Sequence, residues 1–295
     1  MSAATPPVRT SPILTSAAAL LGRFDVLLCD VWGVIHDGRK AYPGANVALP
    51  RFRANGGTVV LVSNAPMTAL AVADLLDDKG VSRDAWDGIV PSGDIALGHI
   101  ADKGYHRIFG IGARVRDASF FDAVPHLVDD MDDADAIACT GLANDRTERP
   151  EQYLPILEQA IRRELPFVCV NPDLAVHVGA DLLPCAGAIA TLYEAMGGSV
   201  FWGGKPHPIA YATGLLMAEK LRGAKVDKGR VLGIGDVVRT DVKAAEVAGV
   251  DSLFIAAGLH RDELMVDGQL DVARMAALFA ANNVRPTAVM ETLVW

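Results

Sequence analysis

The chain has 295 residues, enough for one large domain or two modest ones. Apolar residues make up 51% of it, yet no stretch approaches the roughly 18 consecutive apolar residues of a membrane span, so a soluble globular protein is expected. A formal net charge of −9 argues against a nucleic-acid surface, because phosphate backbones demand a basic footprint. An anionic small molecule is still allowed, since local cations and metals decide that.

In chain order, ILTSAAALLG (13–22), preceded only by Arg9, reads as a short helix leading into the first strand rather than a signal peptide. FDVLLCDVW (24–32) is the first apolar, β-branched run, and TVVLVSN (58–64) is the second. Between TVVLVSN and the third run, HRIFGIG (106–112), lies TALAVADLLDDKG (68–80), a helical stretch opened by Thr68 and closed by Gly80. VLGIGD (231–236) and DSLFIAA (251–257) complete the series. Strands alternating with helices predict an α/β fold, a doubly wound parallel sheet of Rossmann-like type with both faces covered.

Residues 113–200 repeat the pattern: AIACTG (136–141), a helix through EQYLPILEQAIRRE (151–164), PFVCVNP (166–172) and GAIATLYEAMGG (187–198). The predicted division is a core of 1–112 and 201–295 with a smaller α/β unit, 113–200, inserted. The acidic run DDMDDADA (129–136) reads as a solvated loop or helix face. Cys29, Cys139, Cys169 and Cys185 lie far apart with no CxxC. They are expected to be free, small core residues in a reducing, cytoplasmic compartment.

Ligands of parallel sheets bind at the carboxyl ends of the strands. Asp30, Ser63 and Asp236 each end an apolar run, so they are expected to converge. DVWGV begins with Asp30, LVSN ends in Ser63 and Asn64, WGGKPHP presents Lys205, and IGDVVRTD supplies Asp236 and Asp241. Carboxylates at two strand ends, a hydroxyl at a third and one lysine are the parts needed for phosphoryl transfer through an aspartate. So few oxygen ligands suit Mg²⁺, which keeps several waters.

In this order the motifs resemble the haloacid-dehalogenase-like (HAD) hydrolase superfamily. The insertion carrying VNPD (170–173) is similar to the C2-type cap of its class IIA, NagD-like branch. The resemblance implies that Asp30 is the nucleophile forming an aspartyl-phosphate. It implies that Asp30, the main-chain carbonyl of Trp32 and Asp236 ligate Mg²⁺, with Asp241 behind them or paired to Lys205. Ser63 holds a phosphoryl oxygen with Asn64 nearby, and Lys205 positions Asp30. On the residues alone, Ser63 or Asp241 capping a helix, and Lys205 at the surface, stay open. From the cap, Asp173 and Arg146 (with Arg149 beside it) are candidates for substrate contact. VNPD also suits an ordinary turn.

One position departs from the family pattern. Where most of these phosphatases carry a second aspartate two residues after the nucleophile, this chain has Trp32, whose indole only donates. General acid–base help is worth about 10²–10⁴ in rate. The expected activity is therefore Mg²⁺-dependent hydrolysis of small phosphorylated metabolites, favouring leaving groups that depart unprotonated. Otherwise His36, Asp37, His207 or Asp173 supplies the proton. The alternative is a noncatalytic or weakly active phospholigand-binding protein on the same fold. A dinucleotide site is a distant third, since GIGARV (110–115) lacks the third glycine of GxGxxG. No nucleic-acid or membrane partner is expected, and a homodimer is open.

Overall fold

The computed structural model describes residues 11–178 and 181–295; Arg9 falls outside them. The predicted N-terminal helix is one turn, Ala18–Leu21. The first strands are β1 (Val26–Cys29), β2 (Thr58–Ser63) and β3 (Gly88–Pro91). Then come β4 (Ile108–Ile111), β5 (Leu127–Val128), β6 (Ala136–Cys139) and β7 (Phe167–Cys169). A hairpin, β8 (Ala175–Val178) and β9 (Asp181–Pro184), precedes β10 (Val200–Trp202). The chain ends through β11 (Val231–Gly235), β12 (Asp251–Ile255), the hairpin β13 (Met265–Val266) and β14 (Gln269–Leu270), and β15 (Ala288–Met290).

Two parallel sheets result. The larger has the order β15-β12-β11-β1-β2-β3, the smaller β10-β7-β6-β4-β5. Every residue of β1, β2 and β11 is buried, as expected of strands covered on both faces. Leu27, Cys29, Leu61 and Ile234 pack on one face of the larger sheet, and Val26, Leu28, Val60 and Val62 on the other. The predicted helix of 68–80 spans Ala69–Asp78, with the Thr68 hydroxyl accepting from Ala71 N and Gly80 at φ +75° beyond its end. No helix among the described residues is long and apolar enough to cross a membrane.

The predicted division at 112 and 201 needs correction at both edges. β4 pairs with β5 and β6, and β10 pairs with β7, so both belong to the smaller sheet. An apolar run announces a strand, but nothing in its composition names the sheet it will join. The strand after β12 was also missed: three-residue β15 lies along β12, its other side bridged by Ile13.

In the larger sheet the winding direction reverses between β1 and β11, and ligands of doubly wound folds lodge at that crevice. Register places the site there: Cys29 lies opposite both Ile234 and Leu61, which puts Asp30 just past this row and Ser63 and Asp236 one residue further along the neighbouring strands. Leu61 is fully buried beneath that edge. Leu61→Ala should destabilise the protein by about 2–5 kcal/mol, read from a shifted denaturant midpoint at constant slope.

Candidate active site

At the reversal point the carboxylate of Asp30 meets the ammonium of Lys205 at 2.5 Å, and Asp241 takes a second hydrogen bond from that ammonium at 2.7 Å. All three side chains are nearly or fully out of water. Burial works against the Lys205 cation, but Asp241 and Asp30 more than offset it, and its pKa lies well above lysine's ordinary value. The lysine is therefore a fixed positive charge. The surface alternative for Lys205 is excluded.

Asp241 does not cap the helix that follows. It sits in a π-helical turn, Val238–Val242, and its second oxygen accepts from Val237 N at 3.0 Å. With both oxygens committed, it fits a place behind the ligands. Asp236 is different. Its Oδ2 accepts from Leu259 N at 2.6 Å, whereas the buried Oδ1 has no donor among the described residues. Asp30, Asp236 and Asp241 each offer an oxygen within 4.8 Å of one another. Burial, reinforced by Asp30 and Asp241, pushes the Asp236 pKa well above the ordinary value. Asp241 is pushed up to about 6 by burial, against the pull of Lys205. Hard oxygen donors around an orphaned buried acceptor fit a divalent cation.

The segment after β1 folds into a small flap. Gly33 N donates to His36 O and His36 N to Val31 O, bonds that bracket Trp32 and use neither its N–H nor its carbonyl. The expected main-chain ligand is thus uncommitted in this turn. Gly33 has φ +81°, and a Cβ there would strike the Asp236 carboxylate. The Trp32 ring meets His36 edge-on at 5.2 Å and leaves no room for a side chain at Gly38. Trp32 is the wedge that fills this flap.

At the end of β2, the Ser63 hydroxyl accepts from Ala65 N at 3.2 Å, leaving its O–H to donate. It does not cap the next helix. The Asn64 side chain, expected beside a phosphoryl oxygen, is instead fully engaged. Its Oδ1 accepts from Lys205 N at 2.8 Å, and its Nδ2 donates to Lys205 O at 3.0 Å and to Asp173 Oδ1 at 2.9 Å. Asp173 comes from the smaller sheet, at the carboxyl end of β7, so both sheets contribute to one site. Burial lifts its pKa to about 6 despite the Asn64 hydrogen bond.

Other candidates lie elsewhere. Arg146 is exposed and pairs with Asp181 at 2.7 Å, and Arg149 begins a turn closed by Gln152. The loop GLHRDEL (258–264), which follows β12, holds Asp236 through Leu259 N. A backbone donor leaves no sequence signal beyond its place after a strand.

Residues 27–126 match the haloacid dehalogenase-like hydrolase family, and residues 202–294 match a family described as HAD-hydrolase-like. A crystal structure of a haloacid dehalogenase-like hydrolase from Brucella suis is 40% identical, with a TM-score of 0.83, covering 95% of this chain and 99% of that one. A glycerol phosphate phosphatase from Mycobacterium tuberculosis, solved in complex with calcium, shares the fold at 23% identity and a TM-score of 0.65, over 93% of this chain and 75% of that one. Dihydroxyacetone phosphatase of Corynebacterium glutamicum is 30% identical over 97 residues, 32% of this chain and 33% of that protein. The chain aligns with only 33–40% of the length of the curated relatives it matches first.

A carboxylate whose folded pKa is raised contributes stability in full below its unfolded pKa and loses it as pH rises through the folded one. In EDTA, the wild-type melting temperature should therefore fall with rising pH relative to an Asp236→Asn variant, which lacks the raised carboxyl. Excess Mg²⁺ should close most of that gap at pH 7.5.

Proposed function

Because the chain belongs to the haloacid dehalogenase-like hydrolases, we propose that it is a Mg²⁺-dependent phosphatase of small phosphorylated metabolites, working through an aspartyl-phosphate on Asp30. The observation that carries this reading is the buried Asp30–Lys205 pair at 2.5 Å beside the donorless Oδ1 of Asp236. Asp30, the Trp32 carbonyl and Asp236 would hold the cation, with Asp241 behind them. Bound there, Mg²⁺ would offset the charge of the carboxylates and phosphate.

The remaining chemistry belongs to the chain. Lys205 aims Asp30 by gripping one carboxylate oxygen, and its charge opposes the burial that raises the Asp30 pKa. Ser63 donates to a phosphoryl oxygen, and a dry site strengthens each of these contacts. The four cysteines are free and buried, which suits a reducing cytoplasmic setting. The smaller sheet, from β4 to β10, acts as the cap and defines the working domain boundary.

Trp32 shapes the substrate range. It cannot protonate a departing alkoxide, so the nucleophile's own loop favours aryl and acyl phosphates. That same residue is the one observation favouring a phospholigand-binding protein, and a single assay separates the readings. With Mg²⁺ and a panel of aryl, acyl and alkyl phosphates, the wild type should turn over and Asp30→Asn should lose about 10³-fold or more. Turnover untouched by Asp30→Asn would reject the mechanism, and no turnover on any substrate would favour the binding protein.

A further inference from the structure

A phosphatase without an acid beside its nucleophile still has to protonate an alkoxide. Three of the four candidates are spoken for. His36 is 1% exposed, its Nδ1 accepts from Gly38 N at 2.9 Å, and burial with Lys79 nearby holds it neutral down to about pH 4. Asp37 accepts from Arg39 N and Lys40 N at 2.8 and 2.9 Å, a tight turn that keeps it anionic. His207 lies flat on Trp202, with ring centres 5.1 Å apart, and burial lowers its pKa.

Asp173 has the right attachments. Its Oδ1 is fixed by Asn64, the residue next to Ser63, and its Oδ2 accepts no hydrogen bond among the described residues. The Asn171–Asp173 loop approaches the lysine loop at Gly204, where a Cβ would crowd Pro172 Cδ at 3.1 Å. A Cβ on Gly204 would collide with Asn64 Oδ1, and one on Gly187 would collide with the carbonyls of Pro172 and Asp173. Gly187 N also donates to Asp173 O at 3.1 Å. The side-chain carboxyl is thus held by Asn64 and the main chain beneath it by Gly187, close enough to Asp30 for the two charges to interact.

We propose that Asp173, carried by the cap, is the catalytic acid and base that replaces the missing carboxyl at position 32; this rests on the hydrolase reading above. In the first step an Asp30 oxygen attacks phosphorus and the bond from phosphorus to the ester oxygen breaks. The ester oxygen leaves with the electron pair and takes the proton of the Asp173 carboxyl. In the second step the Asp173 carboxylate takes one proton from water, whose oxygen attacks phosphorus. The bond to Asp30 breaks, its electron pair returns to the carboxylate, and inorganic phosphate departs with Asp173 protonated again.

The surroundings suit a group that must change protonation. Burial and the carboxylate of Asp241 favour the neutral form, while the Asn64 amide, Lys205 and Arg239 favour the charged one, and the balance falls at about 6. The Cys185 thiol packed behind the loop stays protonated, its pKa raised by burial and by Asp173 itself. A carboxyl near 6 is matched to both steps around neutral pH.

The test compares Asp173→Asn with wild type on glycerol phosphate and on p-nitrophenyl phosphate, in Mg²⁺. The amide keeps an oxygen for Asn64, so the fold should hold, as a thermal melt will check. The alkyl ester should lose about 10²–10⁴ in kcat and the aryl ester less than about 10-fold, with kcat losing its pH limb near 6. Adding Trp32→Asp to Asp173→Asn should restore alkyl turnover. Equal losses on both esters, or none on the alkyl ester, would overturn the assignment while leaving the Asp30 mechanism standing. A wild type inert on both esters would overturn the hydrolase reading and this one with it.

Discussion

A single ammonium organises this molecule. Lys205 lies between Asp30 and Asp241 with 2% of its surface exposed, and Asp236 completes the group of buried carboxylates. Taking charges out of water is expensive, and stripping one partner from such a cluster costs about 3–5 kcal/mol. The site is therefore tolerable only when loops from distant parts of the sequence arrive together. Asn64 enforces that arrival by binding both the N–H and the carbonyl of Lys205.

The architecture makes the meeting unavoidable. Parallel strands share one carboxyl edge, and the winding reversal between β1 and β11 opens a crevice there. Register does the rest, because Cys29 faces Leu61 on one side and Ile234 on the other. The smaller sheet brings its own carboxyl edge to the same place through the loop after β7. One site is thus assembled by two sheets that each obey the same rule.

Much of this was legible in the sequence because a charged residue at the tip of a fully apolar run has few other reasons to be there. Asp30 and Asp236 were readable on those grounds, Asp241 and Lys205 through the motifs that resemble the HAD family, and the structure brings the four together. What stayed hidden is instructive in each case. Asn64 was placed near the phosphoryl group by resemblance, since sequence shows a polar amide but not that its side chain joins the Lys205 main chain to Asp173. The sheet allegiance of β4 and β10 was invisible because β-pairing partners leave no local mark. Leu259 contributes only its backbone N–H, which every residue but proline possesses. Arg146 looked available for an anion, yet Asp181 on the facing hairpin occupies it.

The close approach at Gly204 and Gly187 reaches beyond catalysis. The cap here is not an interchangeable accessory screwed onto a finished core. Its Asn171–Asp173 loop meets the peptide that carries Lys205 through the side chains of Asn64 and Pro172, packed where Gly204 has no Cβ. A chimera receiving a foreign cap would inherit a loosened lysine unless that cap also carried this loop and a glycine at the position of Gly187. Diversification of specificity in this chain is thereby steered toward the outer hairpin and surface of the cap, where change does not disturb the chemistry beneath.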